Sequence, residues 1–142
     1  MRFIGTYLQT LDPKGRLALP ARFKRLLTPS DQDLLILVRR DECLFLYPGT
    51  VWDGIAEELN RLPRNQKTRD AIRSISDFSL PLELDAAGRV TVPREFLVAV
   101  GIERDVAVVG GLRHIELWPR QEYEKGREQR RASSGEILDE IL

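Results

Sequence analysis

At 142 residues, with 42% hydrophobic and 31% charged side chains, the chain suits one globular unit or two small ones packed together. Its 22 basic and 22 acidic side chains cancel, which excludes a uniformly cationic coat and confines any nucleic-acid surface to a local patch. No apolar run approaches bilayer length, the N-terminus carries no secretory pattern, and the single cysteine, Cys43, allows no internal disulfide, so a cytoplasmic protein is expected.

In chain order, Phe3 to Leu11 reads as a strand and Asp12 to Gly15 as a turn. There the Asp side chain bonds its own downstream backbone and Gly supplies a positive φ. Arg16 to Leu19 alternates as a return strand, and Pro20 suits the first turn of a helix bearing Phe23, Leu26 and Leu27 on one face. That helix is expected to end at Thr28-Pro29-Ser30-Asp31. A strand near Leu34–Arg39, a turn at Asp41-Glu42 and a strand at Cys43–Tyr47 follow. Val51, Trp52, Ile55, Ala56 and Leu59 then fall at helical spacing. Asn65–Phe78 is predicted to be a linking helix with Ala71, Ile72, Ile75 and Phe78 inward. Leu80–Leu84 is a strand, Asp85–Gly88 a turn and Arg89–Val92 a return strand. Pro93–Val100 is a helix capped by Gly101. Val106–Val109 and Ile115–Trp118 form a hairpin, and Arg120 to Arg131 is a helix. Ala132-Ser133-Ser134-Gly135 is expected to be flexible, and the short apolar segment Ile137, Leu138, Ile141 and Leu142 either frays or docks on a neighbour.

This order is written twice. Residues 12–23, DPKGRLALPARF, align without a gap with residues 85–96, DAAGRVTVPREF. Asp12, Gly15, Arg16, Pro20 and Phe23 match Asp85, Gly88, Arg89, Pro93 and Phe96. After a short deletion, Leu46-Tyr47-Pro48 matches Leu117-Trp118-Pro119 and Trp52 matches Tyr123. The boundaries drawn are a first repeat at 1–62, a linking helix at 63–77, a second repeat at 78–131 and a flexible tail at 132–142. Each half alone has a marginal core. The expected architecture is therefore mostly β with short helices (α+β), the two repeats related by a pseudo-twofold and exchanging or interleaving hairpins.

The copies differ in charge. Lys14, Arg16, Arg22, Lys24 and Arg25 fall in a window without an acid, whereas the matching window of the second copy has Arg89 and Arg94 against Glu95. Asp12, Gly15, Asp85, Gly88 and Arg89 share a structural task with Arg16, in which the arginine reaches back to brace the turn. A solvated face is the ordinary meaning of such charges. Two features point instead to DNA: the cluster is uncompensated in a neutral chain, and it sits on a hairpin tip followed by a helix start. Phosphate contacts would supply affinity and an Arg fork could read guanine; which of the five residues does which is open. Other chemistry is lacking. His114 is the only histidine and reads as structural, no His/Cys cluster suits zinc, and no nucleophile stands with a base, so neither an enzyme nor a metal, cofactor or small-molecule substrate is supported.

The pair of Asp-x-x-x-Arg motifs, Asp12–Arg16 and Asp85–Arg89, each continuing as Gly-Arg-apolar-x-apolar-Pro, resembles the MraZ family of bacterial transcriptional regulators. Phe3-Ile4-Gly5-Thr6-Tyr7, the two Tyr/Trp-Pro elements and the linking helix agree, and the likeness fades after Arg131. The resemblance implies an AbrB-like swapped-hairpin barrel and homo-oligomeric rings of eight or more subunits. It also implies a nucleoid-associated repressor that binds short direct repeats upstream of the division and cell-wall gene cluster, which includes its own gene. It places DNA reading on Asp12, Lys14, Gly15 and Arg16; Ala87 in place of a lysine sets the second motif apart. A non-enzymatic oligomeric scaffold, or protein-interaction ring, is the alternative.

Overall fold

A computed structural model describes residues 2–142. Among the described residues, eight strands and seven helices follow one another as β1 (Thr6–Thr10), β2 (Arg16–Ala18), α1 (Ala21–Lys24), α2 (Pro29–Asp33), β3 (Leu35–Arg39), β4 (Leu44–Pro48), α3 (Gly49–Asn60), α4 (Gln66–Phe78), β5 (Ser79–Leu82), β6 (Arg89–Thr91), α5 (Arg94–Val100), β7 (Asp105–Gly110), β8 (Ile115–Pro119), α6 (Arg120–Lys125) and α7 (Arg127–Ile141). The α+β class read from the sequence is the class observed.

The strands pair across the repeat boundary. The main sheet has the order β1-β7-β8-β4-β3-β5 and every pairing is antiparallel. Strand β1 of the first copy runs against β7 of the second, with Leu8 opposite Ala107, and β5 of the second copy runs against β3 of the first, with Leu37 opposite Leu80. Strands β2 and β6, one from each copy, form a separate two-stranded ribbon in which Leu17 faces Val90.

Period-two alternation sends Leu44 and Leu46, and Ile115 and Leu117, to the inner face of the sheet. The ribbon turns Leu17 and Val90 toward the same interior, where they join Leu35, Leu37, Phe23, Phe96, Val106 and Val108 in one buried cluster. A three-residue ribbon has no independent stability in water. It persists because its inner side chains are core residues of both halves. Across the sheet, Tyr47 packs on Trp52 at 5.5 Å and Trp118 on Tyr123 at 5.6 Å, so the repeated aromatic-Pro elements make equivalent contacts.

Four expectations are corrected. The sheet is open, not a closed barrel: β1 and β5 end it. The ribbon and its neighbours already cover the inner face, so closure is not needed to bury it. Thr28–Asp31 does not end a helix but starts α2, through a capping box in which Thr28 Oγ1 accepts from the Asp31 N–H and Asp31 accepts from the Thr28 N–H. The buried Asp31 also accepts from the Thr50 N–H and hydroxyl, tying α2 to the start of α3; burial pushes its carboxyl up, but the bonds from Thr50 and Thr28 outweigh that and hold it below its ordinary value. On α4, Ala71 and Phe78 are exposed, while Ile72 and Ile75 are half-buried, because only one narrow stripe of this helix meets β3 and β5. Finally, Ala132–Gly135 is helical within α7. The break falls earlier, at Gly126, where Arg130 donates to Tyr123 O at 2.8 Å and lies over the Tyr123 ring at 4.0 Å. Joined to Arg127–Arg131, the tail gains the length that a lone segment lacks.

Phe23 anchors α1 beneath β1 by edge contacts to Phe3 at 5.4 Å and Tyr7 at 5.3 Å. Phe23→Ala is expected to lower the unfolding free energy by about 3–5 kcal/mol in urea titrations, whereas Val98→Ala, at an exposed position, should stay within about 0.5 kcal/mol.

Candidate nucleic-acid interface

The two Asp turns are the same object built twice. In the first, Gly15 N–H donates to Asp12 O and Asp12 N–H to Arg16 O, both at 3.0 Å; in the second, Gly88 N–H donates to Asp85 O at 3.0 Å and Asp85 N–H to Arg89 O at 2.9 Å. Asp12 Oδ1 accepts from the Lys14 and Arg16 N–H groups at 2.9 Å each, and Asp85 Oδ1 accepts from Ala87 and Arg89 at the same distances. Gly15 and Gly88 take φ of 78° and 77°, the left-handed region that an Ala would enter only with strain. Each Arg then reaches back: Arg16 Nε to Asp12 Oδ2, and Arg89 Nε to Asp85 Oδ2 at 2.9 Å. In both turns the arginine thus bonds the aspartate four residues before it.

The ribbon sets these turns side by side. Val92 N–H donates to Gly15 O at 2.9 Å and Leu19 N–H to Gly88 O at 3.2 Å, extending the β2–β6 pairing into both turns. Arg89 Nη1 stands 4.0 Å from Asp12 Oδ2, so a charge contact joins the repeats. With Leu17 and Val90 turned inward, Arg16, Ala18, Arg89 and Thr91 form the outward face of the ribbon.

Two cations that are in no ion pair among the described residues stand at these turns, and two more lie on or at the end of α1. Lys14 is exposed at the tip of the first turn. Lys24, half-buried on α1, extends over the second, where a Cβ on Gly88 would lie 2.7 Å from its Nζ. Arg22 on α1 and Arg25 at its end are exposed and contact neither turn by a hydrogen bond or ion pair. Among the described residues Lys14, Arg22, Lys24 and Arg25 take part in no ion pair. Elsewhere Arg61, Arg73, Arg120 and Lys125 are paired along their helices.

Comparison with known proteins agrees with this construction. The family model described as "MraZ protein, putative antitoxin-like" matches residues 2–75 and 81–141, one segment for each copy of the turn. The chain belongs to the MraZ family. A protein of Azoarcus sp. (strain BH72) is 38% identical over 127 residues, covering 89% of this chain and 86% of its own length. One from Lachnoclostridium phytofermentans is 31% identical, covering 98% and 92%. One from Christiangramia forsetii is 30% identical, covering 100% and 94%. All three are named "Transcriptional regulator MraZ". MraZ proteins form a family of transcriptional regulators, not of enzymes.

The remaining reactive side chains of this MraZ chain have structural partners. His114 stacks on Phe45 at 4.1 Å and bonds Glu116 at 2.9 Å. Burial, with Glu116 and Glu42 nearby, pushes the Cys43 thiol up to about 12, so it stays neutral. Among the described residues no cluster of three or more His, Cys, Asp or Glu side chains suits a metal ion, and no helix is long and apolar enough to cross a membrane. Two features of the site have no signal in the sequence: the Arg89–Asp12 contact and the passage of Lys24 over Gly88. Both join residues from different repeats.

The backbone N–H groups of Arg16 and Arg89 are the leading reason that the Asp12 and Asp85 carboxyls ionise below the ordinary value of 3.8. A lowered folded pKa means that the brace contributes fully above that value and is lost as pH falls through the folded pKa. Carboxyl NMR titrations should therefore give both residues midpoints below 3.8. Asp85→Asn should lower stability at neutral pH, and its difference from the wild type should shrink as pH falls through the folded pKa of the Asp85 carboxyl.

Proposed function

We propose that the chain is a sequence-specific DNA-binding transcriptional regulator whose reading surface is the outward face of the β2–β6 ribbon and its two turns. The observation that carries this reading is the juxtaposition of the two turns, with Lys14 on the first and Lys24 over the second, neither in an ion pair among the described residues. The names of the family's other members support it. A two-stranded β ribbon is narrow enough for the major groove of B-DNA, about 12 Å wide. In this arrangement Lys14, Arg22, Lys24 and Arg25 hold phosphates. Arg16 uses Nε to brace its turn and keeps its Nη edge for a base. Asp12, Gly15, Asp85, Gly88 and Arg89 hold the two turns in shape.

The finer proposal follows the family resemblance. The chain represses the division and cell-wall gene cluster that includes its own gene, acting on the nucleoid in the cytoplasm. It binds short direct repeats in the promoter as a homo-oligomeric ring of eight or more subunits. One short ribbon is a weak reader, and several presented together to tandem sites gain by effective concentration. Head-to-tail cyclic packing suits direct repeats as twofold dimers suit palindromes. A second reading, an oligomeric scaffold without DNA, draws on the exposed Ile137, Leu138 and Ile141 of α7.

Gel-shift titrations on promoter duplexes with and without direct repeats separate the two. The regulator reading expects a specific shift that Arg16→Ala abolishes while circular dichroism and solution mass stay unchanged. Lys14→Ala should weaken all duplexes alike and reduce the salt slope by about one. No shift even at low salt would leave the scaffold reading standing. Unfolding of Arg16→Ala would restrict Arg16 to the brace.

A further inference from the structure

The second turn lacks a cation of its own at the tip. Ala87 stands where the first turn has Lys14, and the N–H groups of these two residues make the same bond to Asp Oδ1 at 2.9 Å. Their side chains therefore leave equivalent points of equivalent turns, both exposed. A cation reaches the second turn nonetheless, from the other repeat. Lys24 crosses the bare Cα of Gly88, such that a Cβ there would sit 2.7 Å from Nζ and 2.8 Å from Cδ. Phe23, buried in the core, and the bond from the Lys24 N–H to Pro20 O at 3.0 Å fix the backbone from which this side chain extends.

The pseudo-twofold has no counterpart of this contact. The position in the second repeat that matches Lys24 is Leu97, which is buried in the core, and a Cβ on Gly15 would meet only Val92 O, at 3.0 Å. The first turn thus carries its own lysine, while the second is served by a lysine of the opposite repeat. No carboxylate among the described residues pairs with that ammonium.

We infer that Lys24 and the Asp85–Arg89 turn it lies over form a second phosphate-binding point, assembled from both repeats, so that the ribbon grips the DNA backbone at each of its two turns. This rests on the DNA-binding reading above. Lys24 supplies a compact point charge that needs no fixed fork geometry. Gly88 then has two functions: it takes the positive φ of the turn and leaves room for the lysine.

The test is the salt dependence of binding to one promoter duplex by the full chain. Lys24→Met keeps length and removes charge, and Lys24→Gln serves as a second variant should the first fold poorly. Affinity should fall several-fold and the salt slope should become shallower by about one. Adding Ala87→Lys to Lys24→Met puts a lysine on the second turn itself and should restore both. An unchanged slope in Lys24→Met overturns the inference. So does a loss that Ala87→Lys does not repair, since Lys24 would then act from α1 and not through the second turn. A wild-type chain that binds no duplex at low salt overturns the DNA-binding reading itself, a separate outcome.

Discussion

Strand exchange between the two halves is the constraint on which the rest of the structure depends. Strand β1 pairs with β7, β5 with β3 and β2 with β6, so each half completes the sheet of the other. A half of this size buries too little apolar surface to be stable alone. Pairing across the repeats places Leu17, Leu37, Leu46, Val90, Val108 and Leu117 in one interior. It also sets β2 beside β6, so that both turns stand together on the shared ribbon. The proposed reading face is thus a consequence of how the core is closed.

On that ribbon the two Asp carboxylates do the local work. Each satisfies two backbone N–H groups and its own arginine, which is why the arginine is held in one direction instead of moving freely as an exposed side chain does. The ion pairs are partly exposed and contribute little to stability. Their value is geometric, since they orient cations before any partner arrives. Pre-ordering of this kind reduces what a binding surface loses when it engages.

Much of this was legible in the chain. The repeat is legible because two segments of the chain match in order, and the strands and Asp-Gly-Arg turns because each depends on residues close in sequence. The capping box at Thr28–Asp31 is also legible in principle, since Thr28 stands three residues before Asp31 and Pro29 suits the first turn of a helix. The exposure of Phe78 and the open edges of the sheet were not legible. They depend on which neighbours arrive on each face, and a periodic pattern of apolar residues does not name its partner. The helical tail departs from the flexible segment expected at Ala132–Gly135: the helix breaks at Gly126 instead, where Arg130 fits against Tyr123.

The sequence by itself determined that the chain is a duplication, that both copies build one kind of turn, and that positive charge is concentrated on the first. Turn chemistry is local, and charge can be counted. Only the tertiary structure decided that the two turns lie together, that Arg89 reaches toward Asp12, and that Lys24 of the first repeat lies over Gly88 of the second. Those contacts join residues more than sixty positions apart, brought together by strand pairing and a shared core, and no local rule of sequence records which strand will lie beside which.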